Sequence, residues 1–212
     1  AGSKNVSLSV HASYYINLYT QEDNWQQHRQ RLLTACRLGT LAGATDIIFH
    51  SGSYMGMPSE TVLPVVITRL NEIQNYLYSS GISVTLRPET MGKQSLIGSL
   101  SDVFRICTEV NNCLPCLDFP HLFARSGGDS PNSASDFIEI LERYQSTFGT
   151  TSLQLLHIHL SGIDYSKAGE KKHLPLEESK FNYQELLIAL KKLNCSGRIL
   201  CESPKMEKDA LL

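Results

Sequence analysis

A chain of 212 residues, 42% hydrophobic and 19% charged, is long enough to bury one sizeable core and too apolar for a disordered or low-complexity segment. No apolar run approaches the roughly 18–20 residues that cross a bilayer, so the sequence reads as soluble, with no membrane partner. A net charge of −2 and a pI near 6.4 exclude a broadly basic surface for nucleic acid, but not a local cationic site or one made positive by metal ions.

The chain starts Ala1-Gly2-Ser3-Lys4, with no initiator Met, basic n-region or apolar h-region. That is no signal peptide, and the chain reads as a piece of a longer product. Six cysteines without a secretory signal read as free thiols in a reducing, cytoplasmic compartment. Cys113-Leu-Pro-Cys116 has CxxC spacing, but no second CxxC accompanies it, and buried structural thiols are the expectation.

Short β-rich runs are expected at Val6–Val10, Ile47–Phe49, Ile82–Leu86, Leu114–Leu117, Leu153–Leu160 and Arg198–Leu200. Helical spacing fills the gaps between them. Val62, Val66, Leu70, Ile73 and Leu77 share one face after a start signal at Pro58-Ser59. Phe137, Leu141, Tyr144 and Phe148 share another, stopped by Gly149. Leu186, Leu190 and Leu193 mark the last helix. Strands alternating with helices imply βα units and a parallel sheet. No linker divides the chain, so residues 1–212 are expected to form one domain. Six units suit a doubly wound sheet or an incomplete (β/α)8 barrel, which needs eight strands and about 250 residues.

The strand ends carry the chemistry. His11, His50, Glu89, Asp118, His159 and Glu202 close successive runs at intervals of 39, 39, 29, 41 and 43 residues. In a parallel barrel those ends meet on one face. His121 and His173 are placed in the adjoining loops. Imidazole and carboxylate are the ligands expected for zinc, manganese or iron, and burying them together requires a compensating cation. His157 points to the same side as His159 and is read as a hydrogen-bonding barrel residue. His28, in a polar helical stretch, is read as a surface residue.

His11-Ala-Ser-Tyr-Tyr-Ile-Asn-Leu18, Phe49-His-Ser-Gly-Ser53, Glu89-Thr-Met-Gly-Lys93, Cys116-Leu-Asp-Phe-Pro-His121, Ile158-His-Leu160 and Cys201-Glu-Ser-Pro204 resemble, in order, the signatures of the endonuclease IV family. The resemblance spans about residues 6–210. It implies an α/β TIM (β/α)8-type barrel with about six units present and the N-terminal two missing. It also implies a zinc-dependent hydrolase for abasic sites in double-stranded DNA, monomeric at full length. The cut would fall 5′ to the abasic site and leave a 3′-hydroxyl and a 5′-deoxyribose phosphate.

By that resemblance His11 and His50 hold one zinc, and Glu89 bridges it to a second completed by Asp118, His159 and Glu202. His121 and His173 hold a third, and manganese is an alternative metal. Clustered zinc would lower the pKa of bound water and neutralise phosphoryl charge, with Glu89 fixing the metal separation and Glu202 orienting the nucleophile. Tyr14 and Tyr15 lie where the family places wedges into the base stack, and Asn17 is a candidate phosphate donor. Lys93, Arg125, Lys167, Lys171, Lys172 and Lys205 would add a local cationic rim.

One departure stands out. The family's third-zinc pattern is Asp-x-His, whereas this chain reads Glu170-Lys-Lys-His173, with Lys171 at the Asp position. Glu170, with its longer side chain, is the residue that could substitute. Two rivals remain open on sequence: a metal-dependent sugar isomerase or epimerase barrel, and a degenerate, non-catalytic fragment.

Overall fold

The computed structural model describes residues 6–212; Ala1-Gly2-Ser3-Lys4 lies outside the described residues. The chain divides into two compact units. One runs to Glu89 and includes Ser95–Pro115; the other joins Thr90–Gln94 to Cys116–Leu212.

In the first unit, β1 (Leu8–His11), β2 (Ala44–Phe49) and β3 (Thr85–Pro88) form a parallel sheet in chain order. Helices α1 (Glu22–Ala42) and α2 (Ser59–Ser79) make the crossovers, and α3 (Leu100–Glu109) follows β3. Helix α1 buries Trp25, Leu32, Leu33 and Cys36 and stops at Gly43, whose φ of 84° a side chain would resist. At Gly39 the helix comes so near β2 that an added Cβ would lie 2.6 Å from Ile47 Cδ1. All five residues of the expected α2 face, from Val62 to Leu77, are buried.

Helix α3 opens with a reciprocal cap between Ser99 and Asp102. The same carboxylate accepts from Tyr54 Oη and, at 2.7 Å, from Ser59 Oγ. Burial pushes the Asp102 pKa up, but the hydrogen bonds from Ser99, Tyr54 and Ser59 outweigh it and hold the group below the usual carboxylate range.

In the second unit, β4 (Leu117–Asp118), β5 (Leu156–Leu160) and β8 (Gly197–Cys201) form a parallel sheet, and β6 (Gly162–Ser166) pairs with β7 (Gly169–Leu174) as an antiparallel hairpin. Helices α4 (Phe119–Arg125), α5 (Ala134–Phe148), α6 (Tyr183–Lys192) and the short α7 (Glu207–Ala210) complete it. Helix α5 is capped by Ser133 and Asp136 and ends at Gly149, as the sequence indicates. Its Phe137 packs edge-to-face on Phe119 of α4 at 5.4 Å, so the turn that begins α4 is anchored in the core.

Several expectations shift. Leu153 lies in a 3₁₀ turn, Ser152–Gln154, ahead of β5. The run Leu114–Leu117 is mostly not strand: Cys113 bridges to Leu86 in the first unit, and only Leu117 and Asp118 pair with β5. The β6–β7 hairpin was not expected at all, because its polar residues hide the alternation. Among the described residues no helix is long and apolar enough to cross a membrane.

Candidate metal centre

Parallel register builds the first cluster. Phe49 pairs with Pro88, so His50 and Glu89 follow at matching levels, while Ala12, next to His11, bonds to the carbonyl of Ile48. Glu89, almost fully buried, places Oε2 3.1 Å from His11 Nε2 and 3.3 Å from His50 Nε2. The His11 ring donates its Nδ1–H to the Ala12 carbonyl at 2.8 Å, since a carbonyl can only accept, and this turns the Nε2 lone pair toward Glu89. Lone pairs held that close repel unless a proton or cation lies among them. Two donors about 2.0–2.1 Å from one tetrahedral zinc stand roughly 3.3 Å apart, which is the spacing seen here.

The loop after β1 lies beside this cluster. Tyr14 meets the His50 ring edge-on at 5.0 Å, and Tyr15 packs on Tyr14 at 5.9 Å. Both remain open to solvent, 61% and 75% exposed. Asn17 Oδ1 accepts from the backbone N–H of Tyr19 and of Ser53, so its carbonyl end organises the loop. His28 is not a bare surface residue: its Nδ1 takes the Asn17 N–H at 3.1 Å, and Arg31 donates to the Tyr15 carbonyl at 2.7 Å. Burial and then the Arg31 charge lower the His28 pKa, partly opposed by the Tyr15 carbonyl.

In the second unit parallel register again sets part of the donor set. Asp118 pairs in register with His159, and Glu202 follows the last pairing of β8, its N–H bonded to the Leu160 carbonyl. The donor atoms of Asp118, His159 and Glu202 lie within 4.8 Å of one another, with Glu202 Oε1 3.3 Å from His159 Nδ1. Asp118 also caps α4, accepting the His121 N–H at 2.7 Å.

His121 is therefore in the first turn of a helix, and His173 is in strand β7; the sequence had placed both in loops. A carboxylate cap forces His121 into helical geometry, and hairpin pairing holds His173. Their rings donate Nδ1–H to the carbonyls of Thr90 at 2.9 Å and Glu202 at 3.2 Å, leaving the Nε2 atoms facing each other at 3.4 Å. Glu170 Oε2 lies 3.5 Å from His121 Nε2, while Lys171 turns to Asp164 at 3.9 Å. Asp118, His121 and His173 each offer a donor atom within 4.8 Å of the other two, so they could hold a metal ion, and the donor chemistry fits zinc.

Cys116 and Cys113 are buried, as expected, but Cys116 Sγ also lies within 4.8 Å of ring nitrogens of His157 and His159. A thiol on β4's approach facing two strand histidines leaves no local spacing signal. Arg125, assigned to a cationic rim, spends its guanidinium on the carbonyls of Met91, Lys93 and Gln94.

A family model described as xylose isomerase-like TIM barrel matches residues 1–211. The chain belongs to that family. An uncharacterised protein of Methanocaldococcus jannaschii is 38% identical over 99% of this chain and 76% of its own length. A probable endonuclease 4 of Bacillus velezensis is 26% identical over 95% of this chain and 68% of its own. Among solved structures, a D-tagatose 3-epimerase-like protein superposes with a TM-score of 0.73 at 19% identity, covering 99% of this chain and 75% of that one. Endonuclease IV from Thermus thermophilus gives 0.71 at 20%, covering 99% and 74%. At these identities the structural likeness is one of fold. The resemblance to endonuclease IV thus has a counterpart in sequence relatives, and the α/β class is that of the TIM barrel, with two three-stranded parallel sheets among the described residues.

Proposed function

We propose that this protein is a zinc-dependent endonuclease that hydrolyses the phosphodiester 5′ to an abasic site in double-stranded DNA, inside the cell. The metal ligands are His11, His50, Glu89, Asp118, His121, His159, His173 and Glu202, with Glu89 and Glu202 the catalytic carboxylates. The observation that carries this reading is the exposed Tyr14–Tyr15 pair packed against His50. An aromatic edge beside a cluster of metal ligands suits a duplex from which a nucleotide must be extruded, and an absent base lowers the cost of extrusion.

Zinc in such donor sets lowers the pKa of water toward 7 and neutralises charge on phosphoryl oxygens. The protein's own groups do the rest. His11, with its tautomer fixed by Ala12, and His121 and His173, fixed by Thr90 and Glu202, present Nε2 without rearrangement. Glu202 orients the attacking water and accepts its proton. The water oxygen bonds to phosphorus as the P–O3′ bond breaks, and O3′ takes up a proton. Tyr14 and Tyr15 hold the gap in the stack, and Asn17 presents its amide to a phosphate.

The competing reading, a ketose epimerase, rests on the fold shared with the D-tagatose 3-epimerase-like protein. A duplex carrying one tetrahydrofuran abasic analogue, incubated with the zinc-loaded chain, separates the two. Incision leaving a polymerase-extendable 3′ end supports the nuclease. Intact DNA together with turnover of ketohexoses would replace it.

A further inference from the structure

The hairpin β6–β7 contains a β-bulge. Ile163 pairs with His173 and Asp164 with Lys172, but Tyr165 pairs with Glu170, so Lys171 is the extra residue. Paired residues of an antiparallel ladder share a face, and alternate residues of one strand do too. Ile163 and Tyr165 are alternate residues of β6; Ile163 is buried, and Tyr165 packs on Phe123 at 5.2 Å. Glu170 and His173 therefore lie on that inward face together, although three residues apart in a regular strand would put them on opposite faces. Lys172 and Asp164 share the other face, and Lys171 reaches for Asp164.

Building on the zinc reading above, we infer that Glu170 is the carboxylate that completes the metal site of His121 and His173, and that the bulge at Lys171 brings it there. The bulge absorbs one residue, so Glu-x-x-His presents its ends as Asp-x-His does in an unbulged strand. Glu170 Oε2 stands 3.5 Å from His121 Nε2, near the edge of a zinc tetrahedron, and His173 Nε2 stands 3.4 Å from the same atom; Asp118 offers these histidines a further donor within 4.8 Å. The segment Thr90–Gln94 is shaped for this side chain. The Glu170 N–H donates to the Gly92 carbonyl at 3.2 Å, and Lys93 bridges to Gly169. A Cβ on Gly92 would lie 2.6 Å from Glu170 Cβ and 2.9 Å from its Oε2, so only glycine leaves the carboxylate its place. Lys171, a cation directed at an acidic partner on the far side, takes no part in binding the metal.

The test is metal binding by the full chain, with zinc counted by elemental mass spectrometry and cobalt(II) absorption reporting donor geometry. Glu170→Gln, of the same size, is expected to weaken the ion at His121 and His173 at least about tenfold, because even groups that only support ligands change metal affinity by 10–100-fold. Gly92→Ala keeps every donor and is expected to weaken the same ion by displacing Glu170, while Lys171→Ala leaves it unchanged. The inference is overturned if E170Q binds that ion as tightly as the unaltered chain, or if adding K171D to E170Q restores it. A chain that loses an ion on His173→Ala but not on E170Q retains the zinc reading and loses only Glu170. Absence of any ion from the unaltered chain removes both.

Discussion

The His11–His50–Glu89 cluster and the His121–His173 pair offer the same kind of donor, yet their backbones deliver them by opposite means. In the first, each side chain is the residue at or just beyond the end of a parallel strand, and the ladder alone sets their levels. In the second, one imidazole rides on a helix capped by Asp118 and the other on a bulged antiparallel strand. Register is inexpensive to specify, since the period of two and the buried face fix it together. Caps and bulges need particular residues at single positions. A substitution at a strand end should therefore remove a donor and little else, whereas one at a cap or in the bulged hairpin should disturb both donor and backbone.

The largest effect tests the first half of that contrast. Glu89→Gln removes the carboxylate that faces both His11 and His50 while keeping its volume. Several kcal/mol of transition-state stabilisation from a metal site corresponds to a loss of about three orders of magnitude or more in abasic-site incision. Zinc content should fall with it, while the melting temperature of the metal-free protein changes little. A Glu89→Gln protein that cuts at an undiminished rate would remove Glu89 from the chemistry.

Asp118 tests the other half, because it carries two roles at once. Asp118→Asn keeps a good helix cap and loses the charge, so metal should be lost with stability nearly retained. Asp118→Ala should lose metal and also about 0.5–2 kcal/mol of stability, read from denaturant melts. Equal stability of the two variants would show that the cap contributes nothing.

Next in size is the aromatic pair. Tyr14→Ala should lower incision about tenfold, since base–aromatic stacking is worth about 1–3 kcal/mol. Hydrolysis of a small phosphodiester that has no stack to open should stay unchanged, as should zinc content. A parallel fall in both activities would make Tyr14 a support for His50 instead of a wedge.

The difference between the two regions also explains what could be read from the chain. Strand-end residues from His11 to Glu202 follow the βα interval; β2 and β5 bury their apolar runs, while the edge strands β1 and β8 keep theirs half-buried or exposed, yet the spacing still survives in the sequence. The hairpin leaves no such trace: Gly162–Leu174 is polar, its alternation is broken at Lys171, and its turn is confined to Lys167 and Ala168. Hence the sequence sets Lys171 at the Asp position of Asp-x-His, and the bulge that shifts the register there cannot be read from it. His28 escaped for a similar reason: the Asn17 N–H that its Nδ1 accepts is a backbone group with no side-chain signature.

His28 gives the smallest effect, and pH should switch it. Its Nδ1 holds the loop after β1 by accepting the Asn17 N–H, which the neutral ring does and a doubly protonated ring cannot. Burial and the neighbouring Arg31 depress its pKa in the folded chain below the ordinary 6.5. Below pH 6.5 the unfolded chain therefore takes up a proton that the folded chain resists, so this contribution to stability is present at neutral pH and fades on acidification. Amide exchange across residues 12–19, corrected for its intrinsic pH dependence, should accelerate between pH 7 and 5.5, while α5 stays protected. In His28→Ala the same loop should exchange quickly at both pH values. If the unaltered loop shows no such acceleration, the loop that presents Tyr14 and Tyr15 is held by Arg31 and the Asn17 amide, without the imidazole.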